Sequence, residues 1–190
     1  MPILGEGAFR DLAQRNPLNA ALLDRLPSLG LDQCYLTAGC LFQAVWNHAS
    51  NRPADDKVKD YDVFYFDDGD LSWEAEDRVI KRVVALCADL GATIEVKNQA
   101  RVHLWYERRF GSPYPALRST RDGIDRFLVA CICVGIDVSD RLLYTPDGLG
   151  DLQQGVLKIN RLHPNPALFR RKAEDYRARW GWLRIVDSEA

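Results

Sequence analysis

Methionine occurs once in this chain, histidine three times and cysteine five times in 190 residues. The histidines, His48, His103 and His163, are too few for a histidine-rich metal centre, and neither H-E-x-x-H nor a paired C-x-x-C is present, so no zinc site is indicated. The cysteines, Cys34, Cys40, Cys87, Cys131 and Cys133, are odd in number, scattered and set among apolar neighbours. That pattern argues against a disulfide framework and predicts a reduced, cytoplasmic protein. No apolar run reaches eighteen residues, which excludes a membrane-spanning helix, and the first ten residues lack the basic start and apolar stretch of a secretory signal. Neither sign of charge dominates: 25 Lys and Arg face 27 Asp and Glu, for a net charge of -2. A protein built to grip duplex DNA or an anionic membrane needs a basic field that this composition does not supply. The phosphate loop G-x-x-x-x-G-K-[ST] and the nucleophile elbow G-x-S-x-G are also missing.

What the chain does have is apolar mass, 47% of residues, enough for a core in one domain over 1–190. Leucines and alanines at helical spacing predict an N-terminal helical region, about 1–30, broken at Asn16-Pro17. TAGCLFQAVWNHA, 37–49, reads as a helix opened by a small-residue turn. VKDYDVFYF, 58–66, is the strongest strand. Ser72 caps a helix running to about 90, ended by Gly91, and ATIEVK, 92–97, is a short strand. Residues 98–110 read as a helix capped by Asn98, with a hairpin as the competing reading. A helix over 119–128, a strand pair over 130–138 and 141–144, and a strand within 153–159 follow. Cys131 and Cys133 fall in that strand pair as packed thiols on one face. A basic helix, about 165–182, closes the chain. The fold class is α+β, a small mixed sheet flanked by helices.

The chemistry concentrates at Lys59-Asp60-Tyr61-Asp62. Residues two apart on a strand share a face, so Asp60 and Asp62 present two carboxylates side by side near a buried aromatic run. Like charges held close repel, and burial sharpens the repulsion; a divalent cation removes it. The bland alternative is an edge strand with both acids in water. Glu95 sits between β-branched residues on the next strand and becomes a third acid if the two strands pair; Asp137, in GIDV, is its rival. Gly39 permits close backbone approach at a helix start, where free amides suit a phosphate. Arg101 reads either as a phosphate clamp or as a structural ion pair. His103 is a catalytic base or a packed histidine, Lys59 a triphosphate contact or a solvated side chain, and Asn98 and Gln99 base readers or loop braces. Arg170, Arg171, Lys172, Arg177 and Arg179 form a solvated face or a dock for an acidic or nucleic-acid acceptor.

The order of these features, a small-residue turn into a helix, then D-x-D, then a lone acid, resembles the nucleotidyltransferase superfamily with the DNA polymerase β-like fold. AGCLFQAVWN, KDYDVFYFD, EVKNQARVHLWYE, FGSPYP and TPDGLGDL look more specifically like a family of small bacterial nucleotidyltransferase-like proteins, over roughly residues 34–180. The resemblance implies that Asp60 and Asp62 hold Mg²⁺ or Mn²⁺, that Glu95 assists the metal nearest the attacking hydroxyl, and that Gly39 and Cys40 face the phosphates. It implies transfer of a nucleoside monophosphate from an NTP to an acceptor (RNA, protein or small molecule) with release of pyrophosphate. Cys40 stands where the family has Gly or Ser, and the gap from Cys40 to Asp60 is longer than usual. Two other readings keep the fold: a non-catalytic nucleotide-binding module, and a phosphohydrolase that uses water.

Overall fold

A computed structural model describes residues 3–186 of the chain. The break at Asn16-Pro17 is there: α1 spans Glu6–Gln14 and α2 spans Pro17–Arg25. The Asn16 side chain accepts from the Leu18 amide at 3.0 Å, and Pro17 takes the first helical position, where its missing N–H costs nothing. Strand β1, Tyr35–Thr37, turns directly into α3, Gly39–Ala49. Strand β2, Tyr61–Tyr65, is followed by α4, Trp73–Leu86, whose N-cap Ser72 accepts from Ala75 at 3.2 Å. Strand β3, Ile94–Asn98, leads through one 3₁₀ turn into α5, Val102–Phe110, so the helix reading of this stretch holds against the hairpin. Then come α6, Thr120–Ile124; β4, Gly135–Asp137; β5, Leu143–Tyr144; α7, Gly150–Gln154; β6, Val156–Lys158; α8, Pro166–Arg179; and β7, Arg184–Val186.

The main sheet has the order β3-β2-β1-β4-β5, with β2 and β3 parallel and the other pairs antiparallel, while β6 and β7 pair separately. This is the mixed α+β architecture that the sequence predicts. Tyr61, Val63 and Tyr65 of β2 point into the core beneath α3, so Asp62 and Phe64 occupy the opposite face. No helix among the described residues is long and apolar enough to cross a membrane.

Four predicted elements differ from the fold. The strand over 58–66 begins only at Tyr61, because Lys57 turns the backbone at φ 62° and β1 offers no partner beyond the Thr37–Asp62 pair. The helix over 119–128 stops at Ile124, just past Gly123. Residues 130–132 form a 3₁₀ turn rather than a strand. Because this turn, and no strand, carries Cys131 and leads into Cys133, the two do not share a strand face, although both are packed, free thiols. The first part of 153–159 is the end of α7, and Gly155 stops it at φ 65°.

The C-terminal helix matters most for the site. Phe169, Ala173 and Tyr176 of α8 enter the core, and Phe42, Trp46, Tyr176 and Trp180 stack edge to face at 4.8–5.5 Å between centroids. The Trp180 indole donates to the Asn47 carboxamide at 2.9 Å, and Trp46 donates to the Leu152 carbonyl at 3.0 Å. Each buried aromatic contributes several kcal/mol, on the order of 3–5 if truncated to alanine. This cluster locks α8 to α3 and puts the basic residues of α8 over the uncovered face of β2.

Candidate active site

A cleft of about 500 Å³ opens on that face, between the start of α3, the sheet, α5 and α8. Its acidic floor comes from β2. In the parallel pairing of β2 with β3, Asp62 lies directly beside Glu95, and neighbours in register share a face about 4.8 Å apart across the strands. Asp60 precedes the first paired residue and lines the same cleft as Asp62. Burial, reinforced by the charges of Asp60 and Glu95, pushes the Asp62 carboxyl up to about 7 against the opposing pull of Lys172 and Lys97. None of the three carboxylates accepts a hydrogen bond or forms an ion pair among the described residues. Asp137 is elsewhere: it pairs with Tyr35 of β1, two strands from β2, and accepts from the Ser139 amide at 2.8 Å.

The turn facing these acids includes Ala38 and Gly39, within the small-residue helix start that the sequence predicts over 37–39. Ala38, at φ 62° and ψ -140°, is the N-cap of α3, in a conformation that costs an L-residue on the order of 1–3 kcal/mol. No side chain caps the helix, and Ala38 and Gly39 line the cleft. A Cβ on Gly39 would meet Gln43 Nε2 at 2.5 Å, so the glycine is needed for Gln43 to fold back over the turn. Gln43 is 6% exposed, and its Oε1 has no partner among the described residues. Cys40 is fully buried and its thiol donates to the Thr37 carbonyl at 3.2 Å, while burial raises its pKa well above the ordinary thiol value. Its side chain therefore faces the core and not a phosphate.

Several other candidates leave the site. Arg101 is buried in an ion pair with Glu76 and donates from Nε to the Leu71 carbonyl at 2.9 Å, so it is a structural anchor and not a phosphate clamp. Asn98 accepts from the amides of Asp67 and Ala100 at 3.0 and 3.1 Å and donates to the Asp67 carbonyl at 2.7 Å. Its polar atoms are occupied in tying the end of β3 to the loop after β2. His103 lies outside the cleft lining, and its Nδ1 has no partner among the described residues. Lys59 does line the cleft and is exposed; Gln99 lines it beside Gly123, where any side chain would collide with the Gln99 amide.

Of the remaining cleft residues, Arg171 and Lys172 belong to the basic helix that the sequence offers as a solvated face or a dock, while Lys97 and the aromatic residues are not singled out there. Lys97 follows Glu95 by two on β3 and so shares its face; that spacing could have found it. Arg171 and Lys172 of α8 form no ion pair among the described residues, which leaves their charge free toward the cleft. Tyr106, Tyr114, Phe127 and His163 make an aromatic wall, with Tyr106 and Tyr114 stacked at 4.2 Å. His163 Nδ1 faces the Arg126 carbonyl at 2.9 Å and must carry the proton, so Nε2 accepts from the Tyr106 hydroxyl at 2.9 Å. These residues come from three separate segments, and no local pattern announces their meeting.

The donor set fits a hard divalent ion. Carboxylate oxygens suit Mg²⁺ or Mn²⁺, and Asp60, Asp62 and Glu95 would hold it. Among the described residues no three such side chains are gathered closely enough to form a metal group. Comparison with known proteins accords with this geometry. A family model described as nucleotidyltransferase matches residues 24–185. A protein whose NMR structure reveals a CCA-adding enzyme head domain superposes with a TM-score of 0.78, at 23% identity, over 98% of each chain. No curated protein matches the chain.

Proposed function

The chain belongs to the nucleotidyltransferase family, and from that premise we propose that its cleft transfers a nucleoside monophosphate from an NTP to an acceptor hydroxyl in a metal-dependent reaction. The observation that carries this reading is the register that sets Asp62 beside Glu95, with Asp60 at the same cleft. The bond formed joins the acceptor oxygen to the α-phosphorus, and the bond broken releases pyrophosphate. Asp60, Asp62 and Glu95 would hold Mg²⁺ or Mn²⁺, which when bound would supply charge neutralisation at the α-phosphate. The chain's own residues do the rest. The open amides at the start of α3 meet the phosphates, as uncapped helix starts do. Lys172, Arg171 and Lys59 offset the charge of the departing pyrophosphate. Glu95, exposed at the sheet edge, would assist the metal nearest the attacking acceptor hydroxyl. Five buried free thiols support a reducing, cytoplasmic setting.

The non-catalytic reading drew its motive from Cys40 at the phosphate turn. Ala38 and Gly39 line that turn and likewise offer no side-chain hydroxyl, so nucleotide binding without turnover stands as the second reading. The test incubates purified protein with Mg²⁺ or Mn²⁺ and α-labelled NTPs, beside Asp60→Ala and Asp62→Asn. Label transfer and pyrophosphate release by the wild type alone are expected. Nucleotide binding without turnover would favour the regulatory reading, and label released only to water would make the protein a phosphohydrolase.

A further inference from the structure

A second groove, of about 560 Å³, adjoins the cleft and shares Lys97 and Trp105 with it. Trp73, Glu76, Arg101, Arg108 and Arg109 complete its lining. Trp73 opens α4 and is 56% exposed, an unusual place for an indole. It is not loose: the Arg101 guanidinium lies 5.7 Å from its ring centroid, and Arg101 is itself fixed by Glu76 and the Leu71 carbonyl. One ring face is thus braced from the interior while much of the ring stays open. Trp105, with Arg109 6.0 Å from its ring centroid, stands on α5. Glu76 neutralises Arg101, so the charge offered by the groove comes from Lys97, Arg108 and Arg109 and is positive, against an overall net charge of -2.

The groove has a defined position relative to the acids. β3 is the edge strand, and Glu95 lies on it, outside Asp62 and two residues before Lys97. A ligand in this groove therefore approaches the cleft along the β3 edge, past Lys97 and Trp105, on the side away from α3 and α8 where the proposed function puts the NTP phosphates. On the reading of the cleft as a nucleotidyltransferase site, we propose that this groove binds the acceptor, and that the acceptor is a single-stranded nucleic acid. Open indoles stack on bases without sequence preference, and the flanking cations follow the phosphates. The groove is short and its cations few, which suits a few nucleotides at a chain end and not a duplex.

The experiment separates this claim from the catalytic one by leaving out NTP and metal. Fluorescein-labelled 12-mer single-stranded RNA, single-stranded DNA and duplex of the same sequence are titrated with full-length protein, and anisotropy is read at several salt concentrations. Wild type is expected to bind the single strands more tightly than the duplex. Trp73→Ala is expected to weaken single-strand binding about tenfold, and Trp73→Phe to restore most of it. Arg108→Ala/Arg109→Ala is expected to lower the slope of log K against log salt by about 1 to 2. Trp73→Phe should also remove part of the tryptophan quenching by unlabelled poly(U), since Trp46 and Trp180 are shut in the core. Because Trp73 is largely exposed, equal thermal melts would show that Trp73→Ala folds. Absence of single-strand binding, or equal binding by all variants, overturns the acceptor assignment, as does label transfer only to protein or small molecules. A separate titration of wild type with NTP and Mn²⁺ reports on the cleft: binding there keeps the nucleotidyltransferase reading standing when the groove fails, and its absence removes both.

Discussion

Asp62 carries opposite consequences for stability and for function. Its carboxyl ionises near 7 in the fold, against 3.8 for a free side chain. Between those values the native state holds more protons than the unfolded chain, so stability falls as pH rises from about 4 to about 7, and the full penalty stands above 7. In metal-free buffer Asp62→Asn should therefore raise Tm at pH 8 by several degrees, on the order of 2 kcal/mol after discounting for solvent, and by almost nothing at pH 4. Thermal melts at the two pH values check this, and an equal effect at both would refute it. The same substitution should cost about a hundredfold or more in nucleotide transfer. Ala38 is the second informative residue. Ala38→Gly relieves a positive φ and should stabilise the fold by about 1 kcal/mol in a denaturant titration, while Ala38→Val should weaken it. Arg101→Ala strands the Glu76 charge in the interior and should cost about 3–5 kcal/mol, yet leave the KM for NTP in the folded fraction near that of wild type. A phosphate clamp would show the reverse: intact stability and a raised KM.

At the scale of elements, α8 links the core to the chemistry. The tryptophan of α3 and the aromatic end of α8 interlock, and Arg171 and Lys172 ride on that joint. Trp180→Ala should lower stability by about 3–5 kcal/mol and also weaken NTP binding several-fold, measured by calorimetry at a temperature where the variant is folded. Arg171→Ala/Lys172→Ala should weaken NTP binding without the melt. How much of this was legible in the sequence follows from how local each signal is. Pro17, Ser72, Asn98 and Gly91 punctuate helices by their own chemistry, and the elements they bound are where the sequence puts them. The D-x-D and the lone acid were legible as types, and their adjacency followed once β2 and β3 were taken to pair. The start of β2, the 3₁₀ turn around Cys131 and strand β7 were not, because each depends on which distant backbone offers hydrogen bonds. Arg101 misled for the same reason: its partner, Glu76, is 25 residues away on α4. The aromatic wall came from residues as far apart as Tyr106 and His163, with no shared period to reveal it.

As a whole, the molecule has an ordinary core that holds one electrostatic conflict at its surface. Asp60 and Asp62 line a cleft whose far wall carries Arg171 and Lys172, Glu95 lies beside Asp62 on the neighbouring strand, and neither these acids nor the two cations are neutralised by ion pairs of their own among the described residues. Such an arrangement suits a bridging ligand that carries both signs, as a cation bound to a polyphosphate does, in keeping with the proposed reaction. Mg²⁺ and NTP together should accordingly raise Tm by more than the sum of their separate shifts. The most direct measurement is a Mn²⁺ titration followed by electron paramagnetic resonance, with and without a non-hydrolysable NTP, on wild type and Asp62→Asn. The account predicts that the nucleotide tightens Mn²⁺ binding to wild type at least tenfold and that the variant loses this coupling. Equal Mn²⁺ binding by the two proteins, with or without nucleotide, would contradict it.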